Sequence, residues 1–429
     1  MPNPSLLIVP ARFKTGRLYS QIPSNTDNRG DFNVTRATAA TRVNSAGLIE
    51  SVASGIPRLD YFASGGTAGC PALLVEPSAA NGILNSTDTT TSWTLGGNLT
   101  SGAIDVIGVS GNNITVAVSG SAIGSATGRH VRFSNNVAFA SGSTYTISFL
   151  MKKTGAHTIG GYQFFIGTGS IAAGFNVSGS YSSGSIADNA PTTNRIRRIE
   201  QWGTDVFRCS ETFTMTAAAT GTHLAFAPVA GVTNGNNSAV GTSIAFAAPQ
   251  IELGAVPTSF IPTTTAAVTR NADVISLSGA VSGCIGQTEG TIYAEVDIRN
   301  LGNTAGIFVI SDNTNTNRVY LYKLATNNRI YAERQSATES ATSTLQTSGS
   351  ITAGIHKIAI AYKSGDTALF VNGVQAGSTN TDTFTMGSIF KLNVGSNRAE
   401  ATQFNDRIRA VALYTTRLTN DQLAALTTP

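Results

Sequence analysis

The sequence predicts an all-β protein: an irregular N-terminal anchoring segment followed by two antiparallel β-sandwich, or jelly-roll, domains. Three observations carry this. Charged residues make up 12% of the 429 while hydrophobic ones reach 41%, a balance that allows buried cores, unlike the high-charge, low-apolar balance of disordered chains. The polar residues are mostly Ser, Thr, Asn and Gly, which suit strands and turns better than helix interiors. Apolar residues recur at every second position in many short segments bounded by turn residues.

Four segments follow from composition and pattern. Residues 1–82 are irregular, with Pro, Gly and Arg spaced along them. Residues 83–262 are a run of short alternating strands. Residues 263–287 are a connector with one strand, Asp273 to Leu277. Residues 288–429 are a second strand-rich unit ending in a short helix.

In Thr144–Met151, the side chains of Tyr145, Ile147, Phe149 and Met151 share one face, as Tyr162, Phe164 and Ile166 do in the next strand. In the last unit Ile292, Ala294, Val296 and Ile298 oppose Tyr293, Glu295, Asp297 and Arg299, which predicts one buried face and one wet face. Tyr320 and Tyr322 alternate in phase with Leu324, which predicts that they face the core. Asn372-Gly373 supplies two residues that accept positive φ and predicts a two-residue hairpin; Asn327-Asn328 predicts a second turn, from Val319–Leu324 into Ile330–Ala332. Thr419 and Gln422 form a capping-box pattern flanked by Leu418 and Leu423, predicting a helix over 420–426.

The formal net charge is +4, too small for a nucleic-acid binder. Residues 1–60 hold seven basic groups against four acidic. Arg12, Lys14, Arg17, Arg36 and Arg42 are therefore candidates for docking this segment onto a partner. Cys70, Cys209 and Cys284 are far apart and show no CxxC spacing, which predicts three small buried hydrophobes rather than a zinc site or a disulfide framework. No stretch approaches the ~20 apolar residues of a membrane span, and the run Leu6 to Val9 is far shorter than a signal peptide's apolar region. A soluble protein made in a cytoplasm is expected.

The stretch "LLIVPARFKTGRLYSQIPSNTDNRGDFNVTRATAATRVNSAGLIESVASGIPRLDY" and its continuation "CPALLVEPSAANGILNS" resemble the opening of tailed-bacteriophage virion structural proteins of the tail-fibre or head-fibre type. Spaced identities over residues 6–86, including Asp31, Arg36, Arg42, Arg58, Asp60 and Glu76, carry the resemblance. Where that family reads Arg-Thr-Asn, this chain has Ala79-Ala80-Asn81, so any role of that arginine is absent. Residues 83–262, through "TYTISFLMK", "DVFRCSETFT" and "APQIELGAVPTSFIPT", resemble carbohydrate-binding jelly rolls. Residues 288–426, through "GTIYAEVDI", "ALFVNGVQA" and "DRIRAVALYTTRLTNDQLAAL", resemble laminin-G or concanavalin A-like sandwiches. The resemblance implies a virion component that docks to other virion proteins through residues 1–82, assembles as a homotrimer and displays sandwiches to host-surface glycans.

The residues offer little chemistry. Glu295 and Asp297 share a strand face, but the third carboxylate expected of strand-borne glycosidase sites is replaced by Arg299 and Asn300. The four histidines have no metal spacing, and neither a GxSxG elbow nor a GxxxxGK[ST] loop is present. A non-enzymatic protein without cofactor or metal is expected. Asp312, Asn313 and Asp406 are the hard oxygens a calcium ion would use if one bound. For glycans, Trp93, Trp202 and Tyr162 are the candidate stacking rings. The alternatives are a stand-alone adhesin and a polysaccharide depolymerase.

Overall fold

The computed structural model describes the chain apart from residues 24–29, 89–92, 96–98, 110–113, 119–129, 155–158, 177–179, 183–189, 228–242, 279–282 and 340. Among the described residues one helix, Asn420–Thr427, accompanies antiparallel strands arranged as two sandwiches.

The first sandwich faces two six-stranded sheets. One runs Trp93–Leu95, His130–Phe139, Ala219–Ala227, Ile159–Ile166, Gly169–Asn176, Ser180–Ser182. The other runs Leu99–Ala103, Ile114–Val118, Ser243–Leu253, Thr144–Lys153, Val206–Met215, Thr192–Gln201. The period-two pattern holds: Ile147, Phe149 and Met151 meet Tyr162, Phe164, Phe175, Phe213, Phe226 and Phe246 in one buried cluster. Close packing of the rings leaves Gly221 no room for a side chain, since a Cβ there would lie 2.6 Å from Phe164 and 2.7 Å from Phe139.

The second sandwich recruits the leading segment, which the sequence reading left irregular. Leu6–Ile8 and Gly66–Val75 both pair with Asp406–Tyr414, and Leu59–Ala63 pairs with Gly66–Val75. All three belong to the sheet of Glu289–Ile298, Gly354–Lys363, Ala368–Val371 and Val374–Gln375. Phe13–Lys14, Arg17–Leu18 and Phe32–Thr35 extend the facing sheet through the connector strand Val274–Ser278. They continue into Lys391–Val394, Ala305–Ser311, Arg318–Leu324, Arg329–Gln335 and Ser343–Gln346. Leu6, Ile8, Leu18, Phe32, Val34, Leu59 and Val75 consequently share a core with Ile292, Val296, Phe308 and Ile360. Apart from Gly66–Val75 these strands are two to five residues long, and most find hydrogen-bond partners far along the chain, so local alternation could not announce them.

Both predicted turns form, with Asn372 at φ 49° and Gly373 at φ 82° closing the hairpin, and Asn328 at φ 50°. The capping box is made in full: Thr419 accepts from the Gln422 N–H, and the Gln422 side chain accepts from the Thr419 N–H. Three local expectations are corrected. The face of Glu289–Ile298 expected to be wet is covered, with Tyr293 packed in a buried cluster with Phe370, Tyr414, Leu418 and Leu423 below the helix. Cys70 is exposed, since the outer half of Gly66–Val75 runs past the sheet into solvent.

The third correction concerns the tyrosines. In Arg318–Leu324 it is Val319, Leu321 and Lys323 that are buried, while Tyr320 and Tyr322 point outward and are half-buried. Leu324, whose phase with the tyrosines pointed that face inward, is itself only half-buried, and Lys323 takes the inner side. There its Nζ donates to the carbonyl of Asn300 and to Asn303 Oδ1. Outside, Tyr320, Tyr322 and Tyr331 stack with centroids 4.8 and 5.2 Å apart. Each ring therefore shields its neighbour's face.

Candidate functional site

The charged residues that this chain uses so sparingly concentrate where the leading segment, the connector and both sandwiches meet. Arg58 is fully buried and donates to Glu76 at 2.7 Å, to Asp273, to the carbonyl of Thr41 at 3.1 Å and to Ser259 Oγ at 2.8 Å. Glu76 in turn accepts from the N–H and the hydroxyl of Ser259, both at 2.7 Å. Arg36 reaches Asp273 at 2.9 Å and the carbonyls of Thr38, Val52, Ala53 and Ile56. Asp60 pairs with Arg407 at 2.7 Å and accepts from the Val43 N–H.

Burial alone would raise the Glu76 carboxyl; the nearby Arg58 and Arg270 and the Ser259 bonds outweigh it and hold its pKa down at about 2. Burial likewise works to lower Arg58, and Asp273 and Glu76 overcome it and raise it. Every charge here has a partner, as buried ions require. Beside the ions, Trp202 packs on Phe62 at 5.0 Å with Arg208 5.3 Å above its ring, while Arg407 lies 4.4 Å from the Phe62 ring centre.

Above this weld lies an open cleft of ≈ 630 Å³. One wall is the sheet-edge strand Thr192–Gln201. Alternation along it sends Arg197 to the interior carboxylate of Glu211, at 2.9 Å, and turns Arg198 and Glu200 the other way. The opposite wall is the turn after Glu289–Ile298, where the N–H groups of Arg299 and Asn300 both donate to buried Asp406. The turn at Ser64-Gly65 joins them, its Gly65 N–H donating to the Gln201 carbonyl at 3.1 Å. Arg197, Arg198, Arg208, Arg299, Glu200 and Asn300 line the space. Arg198 is pulled below the usual arginine range by burial, against the opposing pull of Asp406 and Glu200.

The residues singled out from sequence fall as follows. Tyr162 is fully buried and donates its hydroxyl to Glu211, so it offers no face to a ligand. Trp202 is 8% exposed, covered by Phe62 and Arg208, with its Nε1 donating to Glu200 at 2.9 Å; it backs the cleft rather than lining it. Trp93 pairs with Arg132 in the backbone register, and its side chain lies outside the described residues. Of the docking candidates, Arg36 is consumed by the internal weld, so it is unavailable to a partner. Arg42 pairs with Glu50 at 2.8 Å, and half-buried Arg17 lies near the Asp31 carbonyl. Arg12 and Lys14 are exposed at the sheet edge.

The oxygens weighed for calcium accept hydrogen bonds within the protein: Asp312 from Thr314 and Asn317, Asn313 from Lys391, and Asp406 from Arg299 and Asn300. Sequence reasoning missed Arg198, Arg208 and Arg299. The available signal was the run Arg195, Arg197, Arg198 in a chain poor in charge.

A family model described as the concanavalin A-like lectin/glucanases superfamily matches residues 270–424. With the sheets above, this gives the C-terminal sandwich a concanavalin A-like fold. Among solved structures, the chain is similar to the CBM40 of a Ruminococcus gnavus IT-sialidase bound to α2,3-sialyllactose, at 15% identity and a TM-score of 0.32. That match covers 36% of this chain and 92% of that one. Domain 4 of a GH43 extracellular arabinanase from Geobacillus stearothermophilus, in complex with arabinotriose, is similar at 15% identity and a TM-score of 0.31, covering 40% and 82%. The heptameric SAP-like pentraxin of Limulus polyphemus is similar at 13% identity and a TM-score of 0.25, covering 35% and 69%. No curated protein matches the sequence.

Proposed function

We propose that this protein is a non-enzymatic structural component of a tailed-phage virion, a fibre, spike or appendage, that binds host-surface glycans in the cleft between its two sandwiches. The observation that carries the reading is that cleft: an open concavity walled by planar polar side chains from two bodies that meet through an apolar cluster including Phe62, Trp202, Val206 and Phe260 and through the Ser259 bonds to Glu76. Sugar hydroxyls are recognised by such planar groups, and a rigid frame lowers the entropy lost on binding. The resemblance of residues 6–86 supports the virion setting, and exposed Arg12 and Lys14 leave this segment a basic edge for docking to other virion proteins. Glu295 and Asp297 each face an arginine, Arg409 at 2.7 Å and Arg299 at 2.8 Å, which favours binding over hydrolysis.

The test is a glycan array probed with the full chain, with light scattering and antibody labelling of particles alongside. Glycan binding, a homotrimer and a labelled particle are expected. Absence of any glycan signal sinks the binding reading, and a glycan-binding monomer that labels no particle favours a stand-alone adhesin.

A further inference from the structure

We infer that the ligand of this cleft is an anionic saccharide whose carboxylate is held by Arg198 from the first sandwich and Arg299 from the second; the inference rests on the glycan-binding reading above. Four arginines line the cleft against one carboxylate residue, Glu200, which already accepts from Trp202; Arg197 turns its guanidinium inward to Glu211, which leaves those of Arg198, Arg208 and Arg299. Among the described residues lining it none is aromatic, so a neutral ring finds no stacking face and polar groups must supply the affinity.

The four arginines are not equivalent. Arg197 is engaged with Glu211, and Arg208 with Ser148 and the Thr258 carbonyl. Arg198 Nη1, by contrast, is buried without a hydrogen-bond partner among the described residues. An unmet buried donor is costly, and the cost is relieved when an acceptor arrives. Arg299 meets Asp297 through Nε at 2.8 Å. Together the two guanidinium groups form planar forks on opposite walls, the arrangement that grips a carboxylate in two-point fashion. A sialate and a uronate share that carboxylate.

The experiment is titration calorimetry of the full chain with sialyllactose, lactose, tetragalacturonate and its carboxyl-reduced counterpart. One acidic sugar is expected to bind about tenfold or more tighter than its neutral partner. Its affinity should fall as salt rises from about 50 to about 300 mM. Which acidic sugar binds identifies the source of the carboxylate. Arg198→Gln should remove the preference. Gln201→Glu, at the exposed rim, should weaken only the acidic sugar while leaving the unfolding midpoint in place. Equal affinity for the neutral partners overturns the assigned charge chemistry and spares the glycan reading. No binding by any of the four overturns both. A polyglutamate peptide that binds as tightly as the acidic sugar overturns the saccharide class, and an unaltered preference in both variants overturns the site.

Discussion

The interior of the first sandwich and the ion network beside it are buried to the same degree and built from opposite materials. Phe149, Phe164 and Phe226 are at most 1% exposed, and so is Arg58. In the sandwich the rings pack edge to face or stacked, as Phe226 and Phe246 do at 4.5 Å, and the attraction is largely non-directional. At the junction charged hydrogen bonds of defined geometry join Arg58 to Glu76 and Asp273, beside the apolar cluster of Phe62 and Trp202. Apolar packing makes the first sandwich, directional ion pairs tie the leading segment and connector into the second, and the two bodies meet through an apolar cluster in which Val43 and Phe62 join Leu150, Trp202, Val206 and Phe260. A misplaced leading segment or connector would leave Arg58, Glu76 or Asp273 buried without a counter-ion, a strong penalty on the wrong arrangement.

The largest effect expected from breaking this contrast comes from Arg58→Met. The substitution keeps the volume, but strands Glu76 and Asp273 as uncompensated buried carboxylates. A loss of about 4 kcal/mol is expected, read as a lowered denaturant midpoint. Because Arg36, Arg58, Glu76 and Asp273 flank strands of the second sandwich, the loss should fall on that sandwich's transition, with the first sandwich retaining its own. A variant that unfolds in one step with the midpoint of the original chain would show the weld to be dispensable.

The second effect is a pH dependence confined to the junction. Glu76 has a folded pKa of about 2 against an ordinary 4.5. Its folded value is the lower one, so its contribution is complete above about pH 4.5 and is lost as pH falls toward 2. A shift of that size corresponds to roughly 3 kcal/mol. Denaturant midpoints followed from pH 6 to pH 2.5 should fall, and Glu76→Gln should flatten that part of the slope. Parallel slopes in the two proteins would assign the acid sensitivity to other carboxylates.

How far each region was legible in the sequence follows from the same contrast. The sandwich strands could be read because their partners are neighbours and their apolar residues keep period two, as Ile147, Phe149 and Met151 do. The hairpin at Asn372-Gly373 and the cap at Thr419 are local chemistry and were equally plain. The weld was not, since Arg36 and Asp273 are 237 residues apart and nothing local to either names the other. Arg36, Arg58, Asp60 and Glu76 did stand among the identities of the leading segment, but charge on an irregular stretch reads as a docking surface until its counter-ions are placed. The cleft was hidden for the same reason: Arg198 and Arg299 belong to different sandwiches and line one space only once the two bodies are docked.

A third test probes the aromatic side. Gly221→Ala pushes a methyl group into the Phe139 and Phe164 rings. The rings have no free volume to retreat into, so a cost of about 2 kcal/mol is expected. The loss should appear in the first sandwich's transition when measured in the Arg58→Met background, leaving the other transition in place. Movement of both transitions would mean that the disturbance crosses from one body to the other through the shared apolar cluster.

The smallest effect sharpens the comparison from outside both regions. Thr419→Ala removes the side-chain acceptor for the Gln422 N–H and with it half of the capping box. The helix is only eight residues long and depends on Leu418 and Leu423 packing beside Tyr293 and Phe370. The cap is solvent-exposed, so water replaces the lost partner and about 1 kcal/mol is expected. Hydrogen exchange should accelerate across 420–427 and, through the uncovered Tyr293 face, in the central strand Glu289–Ile298, while the amides of Val206–Met215 keep their protection. Acceleration there as well would show that disturbance crosses the junction, and that the weld transmits motion instead of arresting it.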